Sequence, residues 1–337
     1  ASTRVVVSRT QSAAALKKLC SEAGVPHLYT LDEHGKGTLT DALAPVAPAF
    51  SDPQLAEQDL AAIVYTSGTT GRSKGAMVTH GNLTSNGQVL KDYWRFTERD
   101  VLLHALPIFH VHGLFVAIHT TLIAGARMLF HRRFDAKAVL AALPGATAMM
   151  GVPTFYTRLL AEPALTRDAV KHMRIFISGS APLLLDTFKE WQSRTGHTIL
   201  ERYGMSEAGM ITSNPYEGER RGGTVGFALP GVSVQVAAAD GRALGSGEPG
   251  EVQIRGPNVF AGYWRMPEKT KEEFTADGWF HTGDVGQWSA DGYLSIVGRA
   301  KDLIISGGFN VYPKEIELVI DELQGVLESA VVGVPHP

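Results

Sequence analysis

The stretch Leu60-Ala61-Ala62-Ile63-Val64-Tyr65-Thr66-Ser67-Gly68-Thr69-Thr70-Gly71-Arg72-Ser73-Lys74-Gly75 organises the reading of the whole chain. Its apolar opening, Leu60 to Val64, is short and bounded by polar residues, a pattern that predicts a buried strand. The loop behind it suits a polyphosphate. Gly68, Gly71 and Gly75 permit positive φ and a close backbone approach. Backbone N–H groups and the hydroxyls of Thr66, Ser67, Thr69 and Thr70 can donate to phosphate oxygens, and Lys74 or Arg72 adds positive charge. The loop is not a Walker A motif, because Arg72-Ser73 stand between Gly71 and Lys74. A solvated surface loop has a similar composition, so the rest of the chain must decide between the two readings.

At 337 residues the chain is long enough for two or more structural units. A hydrophobic content of 44% and a charged content of 19% describe a globular protein. The net charge of −3 leaves no basic footprint for a nucleic acid. Cys20 is the only cysteine, so no intramolecular disulfide forms, which fits a reducing, cytoplasmic location. No uncharged apolar run reaches the ~18 residues of a membrane helix; the best candidate, Gly113 to Ala126, is short and contains His119. No basic-then-apolar run is visible at the start of the given sequence, so no secretory signal is expected. Ala1 stands first, and the strand-like run Arg4 to Val7 follows almost at once, so the chain is expected to begin inside a domain.

Working outward, residues 11–24 read as a helix, 27–30 as a strand, and 31–57 as a Pro-, Ala- and Asp-rich connecting segment. A helix runs from His80 to about Trp94, capped by Thr79 or Asn82. Between 100 and 200, short apolar runs (Val101–Leu106, Ala126–Phe130, Ala146–Met150, Ile175–Ser178, Thr198–Leu200) alternate with helical stretches. That alternation predicts an α/β unit with a largely parallel sheet, whose ligands sit at the carboxyl ends of the strands. From about 215 helices give way to Gly- and Pro-rich text with strand-like runs at 232–237, 251–255 and 293–297, a smaller β-rich subdomain. Residues 302–321 read as strand, turn and helix.

Four further motifs lie along this frame. Glu201-Arg202-Tyr203-Gly204-Met205-Ser206-Glu207 follows a strand directly, and a carboxylate beside a hydroxyl there could hold Mg²⁺ and an α-phosphate. Thr282-Gly283-Asp284 offers a carboxylate for ribose hydroxyls. Gly298-Arg299-Ala300-Lys301-Asp302 leads into Gly307-Gly308. Ser178-Gly179-Ser180-Ala181-Pro182 has side chains small enough for an adenine ring to lie against the backbone. Two decoys are set aside. Gly245 to Gly250 matches the dinucleotide fingerprint but precedes a strand instead of a helix, so it reads as a hairpin turn. His110 and His112 lack a third ligand at zinc spacing.

Taken in chain order, from the loop at 65–75 through 178–182, 201–207 and 282–284 to 298–308, the motifs resemble those of the acyl-adenylate-forming enzymes, the superfamily of acyl-CoA synthetases, luciferases and peptide-synthetase adenylation domains. The resemblance implies the large adenylating domain of that fold: an α/β portion over 1–214, a β-rich subdomain over 215–300, and over 301–337 a hinge with the start of a C-terminal α+β lid. It implies ATP, Mg²⁺ and coenzyme A as cofactors and substrates. Thr66, Ser67, Gly68, Thr69, Thr70 and Gly71 would hold the phosphates, together with Lys74. Ser180, Ala181 and Pro182 would form the adenine wall. Glu201, Tyr203, Gly204, Asp284 and Arg299 would complete the nucleotide site. Ser206 stands where the family usually has Thr, and Glu207 would hold the metal. Asp302 would be the hinge, and Gly307 and Gly308 would line the approach of the thiol. The family's lid lysine would lie beyond Pro337, and about a hundred residues of its N-terminal region would precede Ala1.

The acid is suggested by Arg202, where many members of the superfamily carry a small residue. An uncompensated buried guanidinium is costly, and a second carboxylate on the substrate would satisfy it, preferably by bidentate pairing. A short dicarboxylate follows, unless Arg202 pairs internally with Glu201 or Glu207. The segments around Arg202, His110 and Thr212 are similar to those of the malonyl-CoA synthetases, which implies malonate as the acid. His110, Val111, Met205 and Met210 would bound its pocket with Arg202. Val111 replaces the threonine expected of that group, which leaves methylmalonate and larger 2-substituted malonates open. An adenylation module that loads a carrier protein is the alternative of another class.

Overall fold

The computed structural model describes residues 3–46, 51–66, 73–306, 309–321, 323, 325–326 and 329–334. Ser67, Gly68, Thr69, Thr70 and Gly71 of the loop, and Gly307 and Gly308, fall outside them. The chain divides into two compact units, 1–55 and 56–337.

In the first unit, strands Val5–Ser8 and His27–Thr30 pair in parallel, and helix Ala13–Glu22 connects them in sequence. The segment 31–57, read from the sequence as a plain connection, carries a further helix, Thr38–Leu43. Thr40 Oγ1 accepts from Gly37 N at 3.0 Å and steadies its first turn, a local hydroxyl–backbone bond that composition does not reveal.

The second unit is built on a seven-stranded sheet. Strands Leu200–Met205, Ile175–Ser178, Ala148–Gly151, Val101–His104 and Arg127–Phe130 lie parallel in that order. Gly209–Ser213 and Phe227–Ala228 extend the Leu200–Met205 edge in antiparallel fashion. Four of the five expected apolar runs between 100 and 200 became strands within a few residues of their predicted edges; the fifth, Thr198–Leu200, is corrected to Leu200–Met205, so residues 201–205 of the motif lie inside the strand and not after it. Val101–His104, Ala148–Gly151 and Ile175–Ser178 are buried at every position, as parallel strands covered on both faces must be. The core beside them is aromatic. Trp191 meets Tyr156 and Phe176 edge-on at 5.0 and 4.9 Å, and all three are buried.

Helix His80–Tyr93 opens on a reciprocal cap: Asn82 N donates to Thr79 Oγ1 at 3.1 Å, and Thr79 N donates to Asn82 Oδ1 at 2.9 Å. Thr79 is therefore the cap, and Asn82 supports it from the first turn. Asn82 Nδ2 donates to Pro257 O and Val259 O at 2.7 and 2.9 Å.

Strand Leu60–Thr66 was expected. Its partner Lys74–Thr79 was not, and the two form an antiparallel pair with Thr66 opposite Lys74. A four-stranded antiparallel sheet follows, ordered Ser233–Ala237, Gly250–Arg255, Phe280–Trp288 and Leu294–Arg299. The Gly245–Gly250 decoy lies in the connection between its first two strands, with Gly250 opening the second. Thr282-Gly283-Asp284 sits inside strand Phe280–Trp288, with Gly283 at φ +71°. The expectation that helices end near 215 is corrected by Pro267–Glu272. Proline starts that helix, Glu268 lies in its first turn and Lys269 and Lys271 in its last, the charge order a helix dipole favours. Strands Ile304–Ser306 and Phe309–Val311 and helix Pro313–Asp321 match the reading of 302–321.

Candidate active site

A cavity of about 680 Å³ opens at the carboxyl ends of the parallel strands. Chain segments just past Val101–His104, Ala148–Gly151, Ile175–Ser178 and Leu200–Met205 line it, contributing Leu106, Val152, Ser180 and Ser206. Thr66 and Lys74 reach it from the hairpin, and Thr282 and Arg299 from the smaller sheet.

The segment 201–207 is sorted by strand alternation. In Leu200–Met205 successive side chains face opposite sides of the sheet. Arg202, Gly204 and Met205 line the cavity with Ser206 and Glu207, and Glu201 and Tyr203 do not. Glu201 is buried elsewhere, accepting from Gly223 N at 3.2 Å, and burial pushes its carboxyl up to about 8. Its side chain thus lies apart from the expected nucleotide position. Tyr203 donates to Asp284 Oδ2 at 2.5 Å, and Arg299 Nε pairs with Asp284 Oδ1 at 2.9 Å. Both oxygens of Asp284 are engaged, and its burial holds its pKa above the ordinary value despite these partners. Ala181, Pro182, Asp284 and Asp302 also lie off the cavity lining, whereas Ser180 and Arg299 are on it.

Arg202 is 3% exposed, and its Nε and Nη2 are buried with no partner. Among the described residues it makes no ion pair. Glu201 is turned to Gly223, and Glu207 Oε1 accepts from Tyr263 OH at 3.0 Å, so neither serves as the internal partner. Burial pushes the guanidinium down to about 10, which leaves it charged at neutral pH. The charge lies against Gly179. A Cβ built there would fall 2.5 Å from Arg202 Cζ and 2.7 Å from Nε. Gly179 was read as part of an adenine wall; here its bare backbone makes room for the arginine.

His112 was set aside with His110 as a weak metal pair. In the structure it lines the cavity with His110 and Val111, and its Nδ1 lies 3.2 Å from Ser180 Oγ. Ser180 itself sits at φ +72°, unusual for a residue with a side chain. Burial, then the charge of Arg202, holds His112 well below its ordinary pKa, so the ring is neutral at pH 7. Its Nε2 is buried without a partner. The segment His112–Ile118 is wound as a π-helix, a form common at functional sites. Met210 completes this wall; Asn86 clamps its peptide, donating to Met210 O at 2.8 Å and accepting from Met210 N at 3.0 Å.

At the other end, Lys74 Nζ pairs with Glu273 Oε1 at 3.3 Å and lies 4.5 Å from the centre of the Tyr263 ring. Tyr263 and Glu273 line the cavity and carried no signal in the sequence, since neither stands in a recognisable phosphate or metal motif. Glu207 Oε2 has no partner among the described residues. Mg²⁺ usually takes one or two carboxylates and fills its other positions with phosphate oxygens and water. A single buried carboxylate, held through Oε1 by Tyr263 and lining the same cavity as Lys74, fits that role. Among the described residues no group of three or more His, Cys, Asp and Glu could hold a metal by itself.

The model of the AMP-binding enzyme family matches residues 1–264, and the chain belongs to that family. It is 40% identical to the malonate–CoA ligase of Arabidopsis thaliana over 296 residues, covering 82% of this chain and 48% of that protein. It is 38% identical to a sulfoacetate–CoA ligase of Cupriavidus necator over 345 residues, covering 99% and 66%. The ATP-bound crystal structure of MatB from Rhodopseudomonas palustris superposes with a TM-score of 0.96 at 56% identity, over 100% of this chain and 67% of that one. The chain spans about half the length of the first curated relatives it matches.

Proposed function

We propose that the protein ligates malonate to coenzyme A through a malonyl-AMP intermediate, using ATP and releasing pyrophosphate and AMP. The observation that carries this reading is Arg202: a buried, unpaired guanidinium in a cavity otherwise suited to a nucleotide. Such a charge is stabilised best by a carboxylate that arrives with the substrate. The malonate–CoA ligase of Arabidopsis thaliana supports the same acid. Sulfoacetate, named for the relative from Cupriavidus necator, also carries a second anion.

In this mechanism one carboxylate of malonate is bound by Arg202 and the other is the nucleophile. It is ionised at neutral pH and needs no base. Its oxygen attacks the α-phosphorus, and pyrophosphate leaves. The sulfur of CoA then bonds to the acyl carbon as its thiol proton is lost, and AMP leaves. Lys74 and the loop donors stabilise charge on the phosphates, and the cavity fixes the reacting groups. Mg²⁺ held at Glu207 would supply further positive charge to the phosphates. Neutral His112 and Ser180 would present polar atoms to the acid beside Arg202. Arg299, on the cavity lining and paired with Asp284, would form the ribose edge, with Asp284 and Tyr203 supporting it from off the lining; Asp302 would be the hinge, and Gly307 and Gly308 the thiol path. No helix among the described residues is long and apolar enough to cross a membrane; the single buried Cys20 supports a cytoplasmic location.

The test is AMP formation by the full-length protein with malonate, methylmalonate, sulfoacetate, acetate, octanoate and benzoate. Malonate or methylmalonate should lead, and CoA should accept the acyl group without a carrier protein. A preference for a monocarboxylate overturns the reading; a preference for sulfoacetate keeps Arg202 as the anion site and replaces the acid.

A further inference from the structure

Tyr263 belongs to none of the motifs read from the sequence, yet it touches both charged groups assigned to ATP. Its ring face lies 4.5 Å from Lys74 Nζ, and its hydroxyl donates to Glu207 Oε1 at 3.0 Å. All three residues line one cavity. The ring is firmly seated. Tyr263 N donates to Thr270 Oγ1 at 2.8 Å, and Phe260 packs edge-on with ring centres 4.8 Å apart. Tyr263 forms an antiparallel bridge with Ala76, and Trp264 N donates to Gly75 O at 2.8 Å. Gly75 and Ala76 continue the strand that Lys74 begins. The backbone bearing Tyr263 is therefore bonded directly to the backbone bearing Lys74.

The charges around the ring are ordered by it. Glu273 Oε1 is shared by Lys74 Nζ at 3.3 Å and Lys269 Nζ at 3.0 Å, so Lys74 has a counter-ion as well as the ring face. Lys74 is 15% exposed, and a cation over an aromatic face counts for more as water is excluded. On the hydroxyl side, Oε1 of Glu207 is occupied and Oε2 is the oxygen left for a ligand. Partners behind a metal-binding carboxylate fix its orientation and its affinity.

We propose that Tyr263 is a positioning residue for the nucleotide: its face sets Lys74, the cation aimed at the phosphates, and its hydroxyl sets Glu207, the carboxylate aimed at the metal, so that one rigid ring fixes their separation. This rests on the ATP reading of the cavity. Preorganised charges of this kind act without reorganisation when the phosphate charge shifts.

The test titrates ATP into the full-length protein and into Tyr263→Phe and Tyr263→Leu by calorimetry, over a series of MgCl₂ concentrations, with thermal unfolding of each free protein recorded alongside. Phenylalanine keeps the ring and removes the hydroxyl. It should raise the magnesium concentration at half-effect by about 10- to 100-fold. Its magnesium-free ATP affinity should stay within about threefold, since the cation–ring contact survives. Leucine removes both contacts, so the magnesium-free affinity should also fall, by about 2- to 30-fold. A wild-type magnesium midpoint in Tyr263→Phe overturns the proposal, and that variant decides the matter even if Tyr263→Leu fails to fold. Lowered Tm in both variants with unchanged ATP and magnesium titrations makes Tyr263 purely structural and also overturns it. Unmodified protein that binds ATP without any magnesium dependence overturns the metal role of Glu207 and the proposal with it; unmodified protein that binds no ATP overturns the nucleotide reading itself.

Discussion

Replacing Gly179 with alanine tests whether the seat of Arg202 sets the choice of acid. The new Cβ would stand 2.5 Å from Arg202 Cζ and 2.7 Å from Nε. Ordinary contacts between such atoms are about 3.5–4.0 Å, so the guanidinium must retreat by about 1 Å. It has little room to do so unnoticed. Arg202 is 3% exposed, and the buried Tyr156 and His112 are close enough to feel its charge. A misplacement of about 1 Å in a substrate-holding group can cost about 10²-fold. The KM for malonate in Gly179→Ala should therefore rise by about 10- to 100-fold, while the KM for ATP stays within about threefold, because only the acid's own binding contact is lost. Pyrophosphate release by the full-length protein, measured against each substrate in turn, gives both constants. A wild-type KM for malonate would show that Arg202 does not bind the acid from this position. An equal loss for malonate and ATP would mean that Gly179 shapes the whole cavity instead.

Three further outcomes are expected. Arg202→Met removes the buried unpaired charge at similar length, so denaturant unfolding should show a gain of about 1–4 kcal/mol while malonate turnover disappears; a loss of stability would indicate that the guanidinium is compensated after all. Glu201 has its carboxyl pushed up by burial from 4.5 to about 8, so the folded state holds the proton more tightly than the unfolded chain. Its contribution is fully present below the unfolded value and is lost as pH rises towards 8, by at most about 1.4 kcal/mol per pH unit; Glu201→Gln should flatten the fall of Tm across that window, and an unchanged slope refutes the assignment. Asn86→Ala removes its bonds to Met210 O and Met210 N, at 2.8 and 3.0 Å; Asn258 Nδ2 still donates to Met210 O at 3.2 Å, so Met210 N alone loses its partner and unfolding free energy should fall by about 1–3 kcal/mol, with no measurable loss showing that water replaces the amide.

The parallel strands were legible because each is a short, wholly apolar run, and burial on both faces demands that composition at any position in the sheet. The helix at His80 was legible from its cap residues. The strand Lys74–Thr79 was missed because glycine, methionine and a lysine dilute the pattern, and only pairing with Leu60–Thr66 makes it a strand. The helix Pro267–Glu272 is short and polar, with no apolar stripe to announce it.

Local order in the sequence carried the resemblance to the adenylate-forming enzymes, and the match to the AMP-binding family over 1–264 bears that out. Phosphate loops, strand-end carboxylates and hinge motifs depend on the backbone over a few adjacent residues, so their spelling survives in one dimension. Arg202 also stood out by type. Whether it pairs with Glu201 or Glu207 could not be read from adjacency, because alternation along the strand sends Glu201 to other partners and Tyr263 engages Glu207. Only the folded chain brings Gly179 beneath the guanidinium, His112 against Ser180, and Tyr263 between Lys74 and Glu207. Those contacts join residues far apart in sequence, and burial, which sets their charges, is a property of the packed whole.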